Sequence, residues 1–306
     1  MNIVFMGTPD FAANSLKALI DAGHKISAVF TQPDKPVGRK QILTAPPVKE
    51  LALDNGLPVY QPNTLKDGEA EKLIKDIAPD ICVVVAYGKL IPASMLNIAK
   101  HGCINVHASL LPKYRGASPI QWSIVCGEKV TGVSTMLLDE GMDTGDILLT
   151  SSTEIADTDT ASTLWDRLSN MGADLLLKTL DGLENGSITP IKQDEALATY
   201  APIIKKEDAL IDWTKSANEI NCLIRGLQTW PTAYTFVNDK RLKIFEAKVL
   251  NGIKGECGEI LKQDTELVVA CGNESALMIT DLQLEGSKRM AAADMLRGRK
   301  LGINKF

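Results

Sequence analysis

The stretch 102–119, GCINVHASLLPKYRGASP, holds the densest set of side chains able to act on a reacting carbonyl. Read as a β-strand over 103–107, it alternates: Cys103, Asn105 and His107 share one face, Ile104 and Val106 the other. A carboxamide and an imidazole then stand side by side at the C-terminal end of the strand, the edge where ligands bind in an open α/β sheet. Polar side chains on such a strand cost free energy in a plain core, so the competing reading is a hydrogen-bonded structural Asn/His pair. Carboxylates come from a second segment, Leu138-Asp139-Glu140-Gly141-Met142-Asp143-Thr144-Gly145-Asp146, directly after an apolar run. Acidic groups among glycines on a loop at a strand end suit an active-site loop. Their spacing is not that of a calcium-binding EF-hand, and it does not choose between Asp139, Asp143 and Asp146. Between the two segments, Ser109-Leu110-Leu111-Pro112 leads into Lys113 and Arg115. Apolar residues at a pocket mouth suit a flat aromatic ligand, although loop packing alone would also explain them.

These residues need a scaffold, and the pattern around them supplies one. Asn2–Met6 reads as a short apolar strand, Pro9–Ala22 as a helix ending at Gly23, and Lys25–Thr31 as a β-branched strand. Pro46–Asn55 is helical, Ile81–Ala86 is a continuous apolar run suited to a strand buried on both faces, and strands follow at Ile104–His107 and Thr131–Leu138. Alternating strands and helices predict an α/β fold, a Rossmann-like, doubly wound, mostly parallel sheet. Leu164, Leu168, Met171, Leu175 and Leu176 form a helical stripe that closes this domain. Residues 190–206 lose periodicity and read as a linker. After it, Ser216-Ala-Asn-Glu219 is a capping box opening a helix, and short strands predict a smaller antiparallel β-barrel of the oligonucleotide-binding (OB-like) type. The expected organisation is a catalytic domain over 1–189, a linker over 190–206 and a barrel over 207–306.

Several function classes lose support. The first loop, Gly7-Thr8-Pro9-Asp10-Phe11, stands where a dinucleotide-binding protein carries G-x-G-x-x-G, but it has one glycine and a proline, which argues against a nicotinamide dehydrogenase. The 6 cysteines include no C-x-x-C pair, and the 3 histidines have no zinc-ligand spacing, so no metal is expected. Ile81–Ala86 is too short to span a bilayer and the N-terminus lacks a signal-peptide pattern, so a cytoplasmic location is expected, with no membrane partner. The net charge is −5, yet residues 207–306 carry 14 basic and 14 acidic side chains. Residues 288–305 hold Lys288, Arg289, Arg297, Arg299, Lys300 and Lys305 against Asp294, and residues 34–49 hold Lys35, Arg39, Lys40 and Lys49 against Asp34. Two basic segments on an acidic chain allow a polyanion to bind at a defined place, or are simply solvated surface.

The combination of Asn105-x-His107, Ser109-Leu-Leu-Pro112 with Arg115-Gly116, and Asp139-x-x-x-Asp143-x-Gly145 resembles the 10-formyltetrahydrofolate-dependent formyltransferase family. Phe5-x-Gly7-Thr8-Pro9-Asp10-Phe11 and Phe30-Thr31-Gln32-Pro33-Asp34-Lys35-Pro36-x-Gly38-Arg39 look like the branch that acts on methionyl-tRNA. The likeness extends over essentially the whole chain and is looser in the C-terminal part. It implies that Asn105, His107 and Asp143 form the catalytic trio, and that Ser109, Leu110, Leu111 and Pro112 belong to the folate-binding signature. Val85, Ala86, Tyr87 and Gly88, with Leu138, Asp139, Glu140 and Gly141, would line the pteridine pocket. Residues 33–47 would be a mobile loop meeting the tRNA acceptor end, with Arg39 leading and Lys35 and Lys40 beside it. The implied partners are 10-formyltetrahydrofolate as co-substrate and initiator methionyl-tRNA, on a monomer. Two rivals remain at this stage: a formyltransferase for a small amine such as a purine-pathway ribonucleotide or a nucleotide sugar, and a nonenzymatic RNA-binding protein on the same fold.

Overall fold

A computed structural model describes residues 1–38, 40–298 and 301–306. Arg39, named above for tRNA contact, and Arg299 and Lys300 of the C-terminal basic segment lie outside the described residues. The chain divides into two compact units: Met1–Gly116 with Val130–Thr153 and Trp165–Ala201, and Ala117–Lys129 with Glu154–Leu164 and Pro202–Phe306. The division therefore does not follow chain order, because two short segments of the first half group with the C-terminal part.

The first half of the chain runs β1 (Asn2–Gly7), α1 (Asp10–Asp21), β2 (Lys25–Phe30), β3 (Lys35–Val37), β4 (Ile42–Thr44), α2 (Pro47–Asp54), β5 (Val59–Tyr60) and α3 (Glu69–Ile77). It continues through β6 (Ile81–Val85), α4 (Ala93–Leu96), β7 (Cys103–His107), α5 (Pro119–Val125), β8 (Val130–Leu137), β9 (Ile147–Glu154) and α6 (Ala161–Glu184). One sheet joins seven of these strands in the order β5-β2-β1-β6-β7-β8-β9. Strand pairs from β5 to β7 are parallel, whereas β8 runs antiparallel to β7. All five residues of β6 are buried, as the unbroken apolar run requires of a strand covered on both faces. The chain leaves β1 toward β2 on one side and returns to β6 on the other. Gly7 and Val85 are partners across that reversal point, so a crevice opens at their C-terminal ends. Beneath it Val4, Met6, Phe30, Ile74, Cys82, Tyr87, Met95 and Cys103 form one apolar cluster.

Strands β9, β3 and β4 escape a reading by periodicity. After the buried Leu148, β9 alternates half-buried and exposed side chains at the sheet edge, and its polar residues mask the inner face. β3 and β4 form a separate antiparallel hairpin across residues 35–44, where only a loop was expected. All six of its strand residues are exposed, so no burial pattern marks it.

The second unit is built on α7 (Ala217–Gly226), β10 (Tyr234–Val237), β11 (Lys240–Asn251), β12 (Ile260–Gln263), β13 (Leu267–Cys271), β14 (Ser275–Leu284), β15 (Met290–Ala291) and α8 (Ala292–Gly298). The antiparallel barrel expected there takes the form of a half-barrel with strand path β10-β11-β14-β13-β12, and β15 pairs with β14. Ile220 and Ile224 of α7 join Leu242, Ile244, Leu267, Val269, Leu277 and Ile279 of the sheet in one core. The capping box at the start of α7 is present: Ser216 Oγ accepts from Glu219 N at 3.3 Å, and Ser216 N donates to Glu219 Oε2 at 2.9 Å. Replacing Ser216 by Ala should lower stability by about 1 kcal/mol. Urea titration monitored by tryptophan fluorescence checks this, and an unchanged midpoint would show that the cap contributes nothing.

Candidate active site

β7 lies between β6 and β8, with Asn105 opposite Val84 on one side and Met136 on the other. Strand alternation carries Asn105 and His107 to the same face, as the sequence requires. His107 is nearly buried, and its Nε2 lies 2.9 Å from the Tyr114 carbonyl oxygen. A carbonyl only accepts, so Nε2 carries the hydrogen and Nδ1 is left facing the other way. There it meets Asp143, with Oδ2 at 3.7 Å.

Three aspartates that spacing could not rank occupy different places. Asp139 is exposed, and its Oδ1 braces its own turn by accepting from Gly141 N at 3.0 Å and Thr144 Oγ1 at 2.7 Å. The Asp146 carbonyl accepts from Leu137 N at 2.9 Å, which ties the loop's exit to its entry. Asp143 alone turns its carboxylate to His107, and the same Oδ2 accepts from the Gly116 backbone N–H at 2.7 Å. It does so with φ at +55°, a left-handed conformation that aspartate tolerates better than most residues. At Gly145 the backbone passes so close to the Leu137 carbonyl that a Cβ would collide with it, so only glycine fits.

Behind this loop lies a buried polar assembly that sequence reasoning missed. Arg115 is only 1% exposed. Its Nε and Nη2 donate to Gln193 Oε1 at 3.0 and 2.8 Å, and Nη1 and Nη2 grip the two Glu195 carboxylate oxygens at 2.8 Å each. That fork-to-fork pairing is the strong form of the interaction. The Glu195 carboxylate holds the Arg115 guanidinium above its ordinary value, and Arg115 in turn holds the Glu195 carboxyl below the usual range. Gln193 Nε2 donates to the Asp143 and Gly145 carbonyls, both at 2.8 Å. The stretch that reads as a linker is thus bonded into the first unit as far as Ala201. Its lack of periodicity reflects polar tasks done one residue at a time, and the only signal in the sequence was a pair of polar side chains two residues apart.

At the β1/β6 crevice the Tyr87 carbonyl accepts from Thr8 Oγ1 at 2.9 Å and Gln32 Nε2 at 3.1 Å. Ala86 and Gly88 on either side adopt positive φ, so the backbone turns sharply there. Burial pushes the Tyr87 phenol up to about 12, and its hydroxyl has no hydrogen-bond partner among the described residues. Ser109 is fully buried, its Oγ donates to the Lys113 carbonyl at 2.6 Å, and its own carbonyl accepts from Ser134 Oγ at 2.7 Å. The Ser109–Pro112 turn is therefore shaped by its own bonds, with Leu111 N donating to the same Ser134 Oγ at 3.1 Å. Cys103 is a buried free thiol, pushed up by its hydrogen bond with the free Cys82 and by burial, in keeping with a packed side chain. Lys35 and Lys40 are exposed on the β3–β4 hairpin together with Val37, Ile42 and Leu43. The base of that hairpin is closed by Lys49 Nζ on both Asp34 carboxylate oxygens at 2.8 Å. Among the described residues no group of three or more His, Cys, Asp or Glu could hold a metal ion, and no helix is long and apolar enough to cross a membrane.

Comparison with known proteins gives this geometry a context. Residues 1–180 match the formyl transferase family and residues 203–300 its C-terminal domain. The chain is 52% identical to the methionyl-tRNA formyltransferase of Citrifermentans bemidjiense, over 98% of this chain and 94% of that one. The chain belongs to the methionyl-tRNA formyltransferase family. Against the corresponding protein of Thermodesulfovibrio yellowstonii, identity is 50% over 99% of this chain and 98% of that one. In fold, the chain is similar to an N-formyltransferase from Helicobacter canadensis solved in complex with folinic acid and dTDP-3-aminofucose. That structure superposes with a TM-score of 0.70 at 21% identity, over 90% of this chain and 98% of that one. Matches of this extent in both halves set the chain apart from the nicotinamide dehydrogenases, as the single glycine of the first loop had implied.

The Arg115–Glu195 pair gives a pH signature with a definite sign. A carboxyl whose folded-state value is depressed contributes stability fully above its unfolded value, roughly pH 4.3, and loses it as the pH falls through the folded value. Wild type should therefore be more stable than Glu195→Gln at neutral pH, and the gap should close on acidification below roughly pH 4.3. Urea midpoints of both proteins across that range check it; a gap that is constant with pH would mean that the pair's charge contributes nothing.

Proposed function

We propose that the protein transfers the formyl group of 10-formyltetrahydrofolate to the free amine of initiator methionyl-tRNA, producing the N-formylmethionyl-tRNA used to start translation in the cytoplasm. The observation that carries this reading is the Asp143 carboxylate 3.7 Å from His107 Nδ1, with Asn105 on the same strand face as His107, in a chain about half identical to methionyl-tRNA formyltransferases over its full length. The residues fit a flat heteroaromatic donor. The sharp turn at 85–88 and the loop at 138–141 present backbone groups, and the apolar Leu110–Pro112 turn supplies a face.

The chemistry is acyl transfer between nitrogens. The methionyl amine attacks the formyl carbon, and the carbonyl electrons move to oxygen. The Asn105 amide donates to that oxyanion in any protonation state. Loss of one such donor costs roughly 3–4 kcal/mol of transition-state stabilisation. His107 joins it by exchanging the Tyr114 carbonyl for the oxyanion once substrate closes over the site, since catalytic hydrogen bonds commonly tighten only in the complex. The attacking nitrogen becomes an ammonium and gives a proton to Asp143. As the oxyanion collapses, the bond from carbon to N10 breaks and N10 takes that proton, leaving tetrahydrofolate and the new amide. Asp143 ends in its starting state.

In this reading residues 1–189 carry the chemistry, 190–206 connect, and 207–306 add tRNA contact on a monomer. Lys35, Arg39 and Lys40 meet the acceptor end, where single-stranded nucleotides are open to a basic hairpin. Purified protein should formylate charged initiator tRNA with 10-formyltetrahydrofolate. Turnover of a small amino-nucleotide instead would keep the trio and overturn the acceptor. Asp143→Asn should lose about 10²–10⁴-fold in turnover with folate binding retained; near-normal turnover would remove Asp143 from the mechanism. Arg39→Ala should weaken tRNA binding, reduce its salt dependence and leave folate affinity unchanged. Equal tRNA affinity in mutant and wild type would exclude that contact.

A further inference from the structure

We infer that residues 193–201 form a frame that holds the Asp143 carboxylate in register with His107, and that Gln193 is a positioning residue for the formyl transfer. The inference rests on the reading of Asp143 as the proton acceptor. Asp143 is fixed from two sides, and both supports lead to this segment. On the side-chain side, its Oδ2 accepts from Gly116 N. Gly116 owes its position to the strand-like pairing of its neighbour: Arg115 N donates to the Thr199 carbonyl at 2.9 Å, and Ala201 N donates to the Arg115 carbonyl at 2.7 Å. The contact is close enough that a Cβ on Gly116 would stand 2.8 Å from the Ala201 carbonyl oxygen, and Gly116 has φ at +113°, which few other residues adopt. On the main-chain side, Gln193 Nε2 draws together the carbonyls of Asp143 and Gly145.

A single carboxamide therefore spends both of its ends on this geometry. Its oxygen is fixed by the Arg115 fork, so the amide cannot rotate, and its nitrogen faces the loop with both hydrogens placed. Arg115 is buried and keeps that oxygen oriented, while Glu195 neutralises the guanidinium from the solvent side, 69% exposed. Asp143 in a left-handed conformation has no helix or strand of its own to hold it, so its register depends on these bonds. Misplacing a reacting group by about 1 Å is enough to cost about 10²-fold in rate.

Gln193→Glu separates the two ends. The carboxylate still accepts from Arg115, but it has no hydrogens to offer the Asp143 and Gly145 carbonyls. Glu195→Ala does the reverse, removing the outer ion pair and leaving the grip on the loop. With 10-formyltetrahydrofolate and methionyl-tRNA, Gln193→Glu should lower kcat by about 10²-fold with the KM for tRNA and the folate Kd unchanged. Glu195→Ala, which keeps the Gln193 grip on both carbonyls, should lose less kcat than Gln193→Glu does. Thermal melts establish that each variant is folded, and if Gln193→Glu is not, the uncharged Gln193→Met, which gives up the Arg115 acceptor together with the loop donors, is set against the same Glu195→Ala protein. Near-normal kcat in the Gln193 variant beside an inactive Asp143→Asn would overturn the positioning role while leaving Asp143 in place. A raised KM or folate Kd at unchanged kcat would overturn it in favour of a binding role. Normal turnover in Asp143→Asn would overturn the catalytic reading itself, and the frame's purpose with it.

Discussion

The arrangement depends first on one hydrogen bond, from the Gly116 N–H to the Asp143 carboxylate. A backbone N–H bound to an ionised carboxylate is stronger than a neutral pair. It also fixes direction, because the amide cannot swing as a side-chain donor could. With it go the approach of Asp143 to His107 and the left-handed turn at Asp143, while close carbonyls of Ala201 and Leu137 leave room only for glycine at 116 and 145. His107 is held at its far nitrogen by Tyr114, one residue before the Arg115–Gly116 step that anchors Asp143. Imidazole and carboxylate are thus positioned by Tyr114 and Gly116, two residues apart in one segment.

The sheet sets the larger frame. Because β8 runs antiparallel to β7, with His107 opposite Ser134 and Ile104 opposite Leu137, the loop that follows β8 starts beside the N-terminal end of β7. That loop must fold back to bring Asp143 within 3.7 Å of His107, two residues about 35 apart in sequence. The crevice between β1 and β6 opens at the C-terminal ends of the same sheet, which suits a donor whose ring sits apart from its reacting group. Arg115 makes the polar interior behind this edge tolerable. A guanidinium buried in this way would be costly unpaired, and here Gln193 and Glu195 accept from it on both sides, with Tyr200 as a further partner.

Much of this was legible in the sequence, for definable reasons. The strand carrying Asn105 and His107 could be placed because period-two alternation and an apolar opposite face are local properties. Ile81–Val85 was legible from its unbroken run, and the α7 cap from Ser216 and Glu219 three residues apart. The choice of Asp143 over Asp139 and Asp146 was not, because it depends on where Gly116 lies across the fold. Gln193 and Glu195 were equally hidden: their partner is 78 to 80 residues away, and a residue in an irregular segment carries no periodicity. The hairpin at 35–44 was read as a loop because its strands are short and exposed on every residue. Resemblance to a family pointed to Asp143, the aspartate whose carboxylate lies 3.7 Å from His107.

The account's central claim is that the formyl carbonyl is presented to Asn105 beside the fixed His107–Asp143 pair. A crystal structure with a stable analogue of 10-formyltetrahydrofolate tests it most directly. The account predicts the ring in the crevice at the ends of β1 and β6, the formyl oxygen within hydrogen-bonding reach of the Asn105 amide, and the Gly116–Asp143 bond intact. A donor bound with its formyl group out of reach of Asn105 and on the far side of the loop from Asp143 would contradict it.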